Sequence, residues 1–579
     1  MKTETTRNKR KAWRQGILAA AGAAALAAVA GLGPLGAAPA RRIADTILYN
    51  GRIVTVDRNF SYAQALAVAG DRILAAGDNK AMRRFTGPHT RRIDLRGRTV
   101  IPGLEDDHLH AAGGGPGVDL SKARTMQKLL DAISARVRQA KAGEIVITNS
   151  DWHEDQLKEQ RLPLRDDLDK IAPHTPVVVV RGGHEYVLNS AALAKWNITP
   201  STPTPSGGAV SRYPDGRLNG ELVDSAKQLV HLPPPPPEDM EARIRARVAE
   251  YQKLNAAGLT GVRHPGAPIE DYRMLQEMQR RGLLTLRVNF LAGLFGSRTA
   301  ENVRDTILSW HVQPMEGDDW VRLWGVKMLV DGGFEGGWMK QPYAEPYGKH
   351  GTYFGLNVVK PAVYTPMVEE ANRQGFRVAT HAVGDAAIGE VLDAYEAANR
   401  EKSIVGHRWS IEHAFVPDPG DYARINRLGL VVSAQDHLYL AGPSLKRYWG
   451  AERAEFVTPM RSYLDHQVRL AAGTDSPVIP YEPLLVIYHF VTRDTISGGV
   501  FGADQRISRQ EALRASTMGN AYLDFTEDRE GSLEPGKYAD LVVLSGDIMT
   551  CPAEQIPRLT VLMTMVGGRI VYRNPGFRP

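Results

Sequence analysis

Short apolar segments alternate with stretches of helical pattern through the centre of the chain, and this alternation constrains the fold more than any other feature. We predict strands at residues 145–148, 177–180, 259–263, 286–290, 323–329, 376–380, 409–412, 430–433 and 469–472. Helical patterns lie between many of them, as at 238–257 and 358–374. Because strands that alternate with helices form parallel sheets, the pattern over roughly 400 residues predicts an α/β fold, a parallel (β/α) barrel with insertions.

The regions on either side of this centre have a different, strand-rich pattern. Residues 46–100 contain short apolar runs separated by turn signals, and similar runs occupy 539–544 and 562–572 near the C-terminus. We therefore predict one small β-sandwich domain assembled from both ends of the mature chain. The predicted boundaries are 41–100 and 528–579 for the β-domain and 101–527 for the barrel.

The first 40 residues carry most of the net positive charge. They hold six basic groups and one acid, so the rest of the chain has a net charge of only +1 although the whole chain has +6. An uncharged run rich in Ala and Gly follows Arg14 and ends at Ala38-Pro39-Ala40. These features are typical of an export signal over residues 1–40, with a weak twin-arginine resemblance at 8–13, and they predict a periplasmic or secreted protein. The alternative is an uncleaved membrane anchor, which the low hydrophobicity of Ala and Gly disfavours.

Composition excludes several classes of protein. A hydrophobic fraction of 43% with 23% charged residues excludes a multi-span membrane protein and a disordered chain. The single cysteine, Cys551, excludes an internal disulfide and a cysteine-based metal site. The near-neutral charge after residue 40 lacks the basic excess that nucleic-acid-binding proteins use, so we expect no nucleic-acid partner. We also expect no stable membrane insertion after cleavage of the leader, and a homodimer is compatible with the sequence.

The sharpest local signal is the pair His108 and His110. The two-residue period of a strand puts both imidazoles on one face, where they can bind one ion together. A His-x-His pair is a weak signal by itself, because two hydrogen-bonded histidines would have the same spacing.

Four more residues strengthen this signal, each at or just beyond the C-terminal end of a predicted strand: Lys327, His381, His413 and Asp475. Barrel active sites lie at that face. A lysine in an apolar strand is costly unless it is neutralised, for example as a carbamate that binds metal. Each residue alone has an ordinary alternative: a capping Asp, a hydrogen-bonded His, a Lys whose ammonium reaches water. Together they predict a metal site.

The order of these motifs resembles the amidohydrolase superfamily. The resemblance rests on the segments at 97–103 and 531–544, where β-domain and barrel meet, and on the motifs at 184–190, 326–332, 381–385 and 411–413. These motifs are similar to the branch that contains N-substituted formamide deformylases. The resemblance covers nearly all of the chain after the leader.

The resemblance implies a distorted TIM barrel that binds one or two divalent ions, usually zinc. His108 and His110 would hold the more buried ion with Asp475. His381 and His413 would hold the other, with a carboxylated Lys327 as the bridge. With a single ion, some of these residues would contact substrate instead.

The implied reaction is hydrolysis of a non-peptide, amide-like C–N bond in a small molecule, with Asp475 and His413 as the catalytic residues. A divalent ion activates water, and Asp475 can take a proton from that water and pass it to the leaving amine. The rivals on the same scaffold are a lactone or ester hydrolase and a deaminase. A non-catalytic binding protein is a further alternative, but it predicts loss of ligands, and all six positions are filled.

The resemblance also suggests residues around the pocket. His184 and Asn189 are predicted to contact substrate, although Asn189 also reads as the N-cap of a helix. Asp385, also predicted to bind substrate, would orient a ligand histidine or merely cap the helix that follows. The chain departs from the family pattern at three places that we expect to line the pocket: 263–264, 435–437 and Asp224.

Overall fold

Eight parallel strands form a nearly closed barrel in the computed structural model, which describes residues 42–233 and 239–578. In chain order they are β1 Leu104–Asp106, β2 Leu259–Ala267, β3 Arg287–Gly293, β4 Val321–Leu329, β5 Val378–Ala382, β6 Ser410–His413, β7 Val431–Gln435 and β8 Arg469–Gly473. Each strand pairs with its neighbours in the chain order. β1 and β8 approach where the Asp107 amide donates to the Ala472 carbonyl, at 3.2 Å. The predicted fold class is confirmed, and the predicted leader lies outside the described residues.

The longer helices surround this barrel. They are α1 Met240–Ala256, α2 Ile269–Arg280, α3 Ala300–Ser309, α4 Pro361–Arg373, α5 Asp385–Glu401, α6 Asp421–Leu428, α7 His437–Trp449 and α8 Pro483–Thr492. A helix of 12 residues lies before β2, at Met126–Val137, and shorter helices lie at Asn79–Met82, Arg165–Ile171, Ser190–Lys195, Ala451–Glu455, Met460–Asp465, Arg509–Arg514 and Asn520–Leu523. Single turns of 3-10 helix lie at Arg83–Phe85, Glu154–Gln156, Ser225–Leu229, Ala503–Gln505 and Ala553–Arg558, and a π turn at Ala515–Gly519.

The packing of α5 explains the apolar runs that predicted the barrel. Ile388, Leu392 and Tyr395 recur at helical spacing and are fully buried. Every residue of β5 is buried as well, because helices cover a barrel strand on its outer face and other strands face it inside. Strands of this kind read as continuous apolar runs, so the polar residues at their ends stand out.

The β-sandwich is built from both ends of the described chain. One sheet has the order Arg72–Gly77, Ala65–Ala69, Thr46–Tyr49, Arg91–Asp94. The other has the order Arg569–Arg573, Val561–Val566, Leu541–Leu544, Thr99–Pro102, Arg52–Val54, Tyr62–Ala63. The two sheets share one buried apolar core, which includes Leu48, Ile93, Val100, Leu541 and Met563.

The segment 118–230, between β1 and β2, contains a further sheet, and we call this segment the inserted domain. The strand order of the sheet is Gly208–Arg212, Leu218–Asp224, Glu185–Leu188, Val177–Arg181, Val146–Ile147. The strands predicted at 145–148 and 177–180 therefore exist, but they belong to this inserted sheet and not to the barrel. Hydrophobic pattern indicates that a segment is a buried strand and not which sheet it joins, which is why the assignment was wrong. The short β1 takes the first place in the barrel instead.

A two-stranded ribbon, Asp494–Thr495 with Gly499–Val500, lies after α8.

Within the described ranges, no helix combines the length and the hydropathy needed to cross a membrane.

Candidate metal centre

The C-terminal ends of the barrel strands bring all six predicted ligands to one place. Lys327 lies in β4, His381 in β5 and His413 at the end of β6. His108 and Asp475 lie two residues beyond β1 and β8. Of the six, five are buried, whereas the sixth, His110, has a side chain that is 42% exposed.

The distances between these side chains are those of a compact cluster. One ligand atom from each of His108, His413 and Asp475 lies within 4.8 Å of the other two. Lys327 Nζ is 3.3 Å from His108 Nε2, and His110 Nε2 is 3.1 Å from Asp475 Oδ1. The ring of His381 packs 4.6 Å from the ring of His413, measured between centroids.

Burial sets the charge of the cluster. It lowers the pKa of His108 to about 4, with the Lys327 ammonium adding to the effect, and it holds the pKa of His381 and His413 well below the ordinary value. These imidazoles are therefore neutral near pH 7 and keep a free lone pair. Burial would raise the pKa of Asp475, but the histidines around it hold that pKa well below its usual range, so Asp475 is ionised. Neutral imidazoles with one carboxylate fit a divalent cation.

Hydrogen bonds fix which nitrogen of each imidazole is free. His108 Nδ1 donates to Glu412 Oε2 at 2.6 Å, and His413 Nδ1 donates to Gln435 Oε1 at 2.8 Å. Both residues therefore keep Nε2 as the lone-pair nitrogen. His381 Nε2 donates to the Gly332 carbonyl at 3.2 Å, which leaves its Nδ1 free.

Glu412 is a functional residue that the sequence analysis did not assign. It is fully buried between His108 and Arg263, whose Nη1 donates to both carboxylate oxygens at 3.1 and 3.2 Å. The guanidinium also stacks 4.2 Å from the Trp324 ring. A glutamate in an otherwise apolar strand needs a buried cation, and this rule would have predicted such a partner for Glu412 without selecting Arg263 in β2.

The positions at which the chain departs from the family pattern were all predicted to line the pocket, but only some of them do. Arg263 and His264 do not line the pocket, which corrects the prediction: Arg263 lies inside the barrel, and His264 Nδ1 donates to the Leu109 carbonyl at 2.7 Å. Gln435 lies behind His413. His437 does line the pocket, and its Nε2 is 3.0 Å from Asp475 Oδ2, so it is a second residue to which the sequence analysis gave no role.

His184 reaches the pocket from the inserted sheet. Its Nδ1 donates to Asp224 Oδ1 at 2.5 Å, and its ring lies 5.3 Å from the ring of His381. Burial would lower the pKa of His184, but the carboxylate of Asp224 outweighs it and raises that pKa. Asp224 has a φ of 46°, a strained value for a residue with a side chain. A Cβ at Gly333 would lie only 2.8 Å from the His184 ring, so this loop position requires glycine.

Asn189 and Asp385 have no place in the pocket, which corrects the substrate contacts predicted for them. Asn189 is fully buried at the N-terminus of the helix Ser190–Lys195, where its Oδ1 accepts from the Ala192 amide at 3.0 Å. Asp385 begins α5, and its Oδ1 accepts from the Lys340 amide at 2.8 Å. The alternative reading as a helix-capping residue describes Asn189, whereas Asp385 is the first residue of α5 and its carboxylate holds the Lys340 segment instead of capping the helix.

A pocket of about 350 Å³ opens over the cluster. His184, His381, His413, His437 and Asp475 line one part of it. Phe334, Val383, Phe415 and Val478 form apolar walls, and a buried ion pair between Arg181 and Glu335, 3.2 Å apart, lies at its edge. The volume given includes the part of the pocket that is open to solvent.

Comparison with known proteins identifies this arrangement. The model of the amidohydrolase family matches residues 91–572. The chain is 30% identical to N-substituted formamide deformylase of Arthrobacter pascens over 92% of its length and 99% of the relative. It is also 30% identical to the protein LONG AFTER FAR-RED 3 of Arabidopsis thaliana, over 92% of both chains.

Solved structures show the same fold. A metal-dependent hydrolase from Pyrococcus furiosus superposes with a TM-score of 0.63 at 26% identity, over 87% of this chain and 100% of the other. Family, fold and donor set agree, and the chain belongs to the amidohydrolase family as a metal-dependent hydrolase.

Proposed function

We propose that this enzyme hydrolyses a non-peptide amide C–N bond in a small molecule, with one or two divalent ions, most simply zinc. The observation that carries the proposal is the placement of ligand atoms of His108, His413 and Asp475 within 4.8 Å of one another, with His413 and Asp475 lining a pocket. The amide bond is supported by the name of the Arthrobacter relative, a deformylase of N-substituted formamides.

The residues that would hold the ions follow from their positions. The cluster is continuous, since His413 lies with His108 and Asp475; the family resemblance would give one ion to His108, His110 and Asp475 and the other to His381 and His413, with Lys327 beside His108. When bound, the metal supplies Lewis acidity, which lowers the pKa of water from about 15.7 to about 7 in favourable zinc sites.

Asp475 is the residue placed to move the proton. Its Oδ2 is held by His437 and its Oδ1 faces His110, so the carboxylate is fixed at both oxygens. An ionised carboxylate at the wall of the pocket can accept a proton from water and return it to the leaving nitrogen. His413 has no N–H left for the scissile carbonyl, because its Nδ1 donates to Gln435 and its Nε2 carries the lone pair, so its catalytic contribution would be made as a metal ligand.

Lys327 suits carboxylation. Burial lowers the pKa of its amine to about 8, against the opposing effect of Glu412 and Asp475. A larger neutral fraction near pH 7 favours the reaction of the amine nitrogen with CO₂, which forms an N–C bond and releases a proton. The resulting carbamate would bring an anionic oxygen ligand to the cluster.

We further propose that the enzyme works outside the cytoplasm, as a periplasmic or secreted protein. The support is the pattern of residues 1–40: a basic start, an uncharged run and an Ala-x-Ala end.

Metal content and substrate class test the function together. We expect the purified full chain to contain about one or two equivalents of divalent metal by plasma mass spectrometry, and the His108→Ala/His110→Ala and Lys327→Ala variants to lose it. The loaded enzyme should release amine from N-substituted formamides or acetamides. If the enzyme cleaves only lactones and esters, the function is C–O bond hydrolysis instead. If it acts only on aminopurines, the function is deamination. Failure to bind metal after reconstitution with zinc would contradict the metal centre.

Substitution of the proton carrier should separate catalysis from metal binding. Asp475→Asn keeps an oxygen donor but cannot accept a proton, so we expect kcat to fall about 10²–10⁴-fold with metal retained. Asp385→Asn is the matched control, since that carboxylate lies outside the pocket and should leave kcat near the wild-type value. An Asp475→Asn enzyme with normal kcat would remove this role from Asp475.

Glu412 should act through His108. In Glu412→Gln the acceptor of the Nδ1–H becomes a neutral amide, so the imidazole is less firmly oriented and less basic. We expect the metal affinity, measured by competition with a chelator, to fall about 10–100-fold. Glu370→Gln, which changes a buried carboxylate on α4 that contacts Arg373, is the control. Equal metal affinity in the two variants would show that Glu412 is structural only.

The N-terminus of the exported protein tests the localisation. We expect a mature chain that begins after Ala40, detected by intact mass in the periplasmic or culture fraction. A full-length chain that stays with the membrane would favour the anchor instead.

A further inference from the structure

A second chamber adjoins the pocket over the metal centre. The two cavities share Gly183 and His184, and the second encloses about 860 Å³, including the part open to solvent. Its walls are mainly apolar and come from the loop after β3, the end of β4 and the start of α4; they include Leu294, Met328, Val358 and Met367. A substrate longer than the first pocket would therefore pass His184 and enter this chamber.

Lys227 projects a positive charge into the chamber from the inserted domain. It lies on the 3-10 turn Ser225–Leu229, and its Nζ donates to the Gly183 carbonyl and lies 5.1 Å from the centre of the Tyr186 ring. Among the described residues it forms no ion pair. The side chain is half-buried; burial lowers its pKa, and the carboxylates of Asp224, Glu335 and Glu185 oppose that shift without forming a direct ion pair.

Arg298 provides a second cation from the barrel side. Its Nη1 donates to the carbonyls of Phe295 and Ser297, at 2.7 and 2.8 Å, which folds the side chain against its own loop. Nε and Nη2 have no acceptor within the part of the chain that the structure describes, and the guanidinium forms no ion pair there. Two hydrogen-bond donors are thus available at the chamber wall.

The two acids of the chamber form their hydrogen bonds with other groups. Asp224 Oδ1 accepts from His184, and Asp331 accepts from the backbone amides of Trp338, Val383 and Gly384. Asp224 Oδ2 is buried without a hydrogen-bond partner among the described residues, and neither acid lies within ion-pair distance of Lys227 or Arg298 there. The chamber therefore combines an apolar lining with two unpaired cations, contributed by the inserted domain and by the barrel.

We propose that this chamber binds a carboxylate carried on an apolar chain of the substrate, recognised by Lys227 and Arg298. The proposal rests on the proposed amide hydrolysis and narrows its substrate class to amides with an anionic terminus. A half-buried ammonium without an ion pair and an exposed guanidinium with free donors, both at the wall of one chamber, can form charge-assisted hydrogen bonds with a carboxylate, and apolar walls match methylene groups.

Matched substrate pairs test this with the metal-loaded full chain. N-acetyl-ε-aminocaproate against N-hexylacetamide places the carboxylate on the amine side. The N-butyl monoamide of adipate against N-butylhexanamide places it on the acyl side. We expect the acid of one pair to have a KM lower by about tenfold or more, because hydrogen bonds to charged groups have that effect. Lys227→Met and Arg298→Met should raise the KM of that acid and abolish its preference over the neutral amide, whereas Lys195→Met on the domain surface should leave the preference intact.

A binding measurement separates this proposal from the proposed function. By calorimetry, adipate should bind the holoenzyme more tightly than hexanoate, and the Lys227→Met/Arg298→Met double variant should bind both equally. If no amide is cleaved but this difference holds, amide hydrolysis fails and the anion site stands. If neutral amides are cleaved, neither acidic substrate has a lower KM than its neutral partner, and adipate binds no more tightly than hexanoate, then the anion site is overturned and amide hydrolysis stands.

Discussion

A buried chain of charges inside the barrel holds the metal centre in place. Arg263 from β2 neutralises Glu412 from β6, and Glu412 fixes His108 beyond β1. Each charge is tolerable in the interior only because the next one is within hydrogen-bond distance, since an unpaired buried ion costs several kcal/mol. The three segments must therefore keep their register for the site to exist. The same contacts select the tautomer of His108 that can bind metal.

The residues around the site come from two parts of the chain with different functions. Every residue of the cluster, together with Glu412 and Arg263, belongs to a barrel strand or to the residues that directly follow one. His184 and Lys227 belong to the inserted domain. Glycines after β4, such as Gly333, let the inserted domain approach closely enough for the His184 ring to reach the pocket. Substrate contacts can therefore change in the insertion while the metal ligands stay fixed.

The sequence predicted the barrel and the cluster because both depend on local pattern. Apolar strands end at polar residues, so His381 and Asp475 could be placed from their neighbours alone. The roles of Arg263 and His437 depend on which strands face each other across the barrel, and that pairing is not encoded in any local window. Asn189 shows the opposite failure: its capping signal was visible, but a resemblance to relatives favoured a pocket position that its burial excludes.

The sandwich joins strands from opposite ends of the chain, which affects the order of assembly during synthesis. Strand Leu541–Leu544 pairs with Thr99–Pro102 and lies between it and Val561–Val566. Roughly 440 residues separate the paired strands, so at about 5–20 residues per second the first strand waits about 20–90 s for its partner. Throughout that interval its backbone edge is open to other nascent chains. The sandwich therefore completes only after the ribosome has released the last strands of the chain.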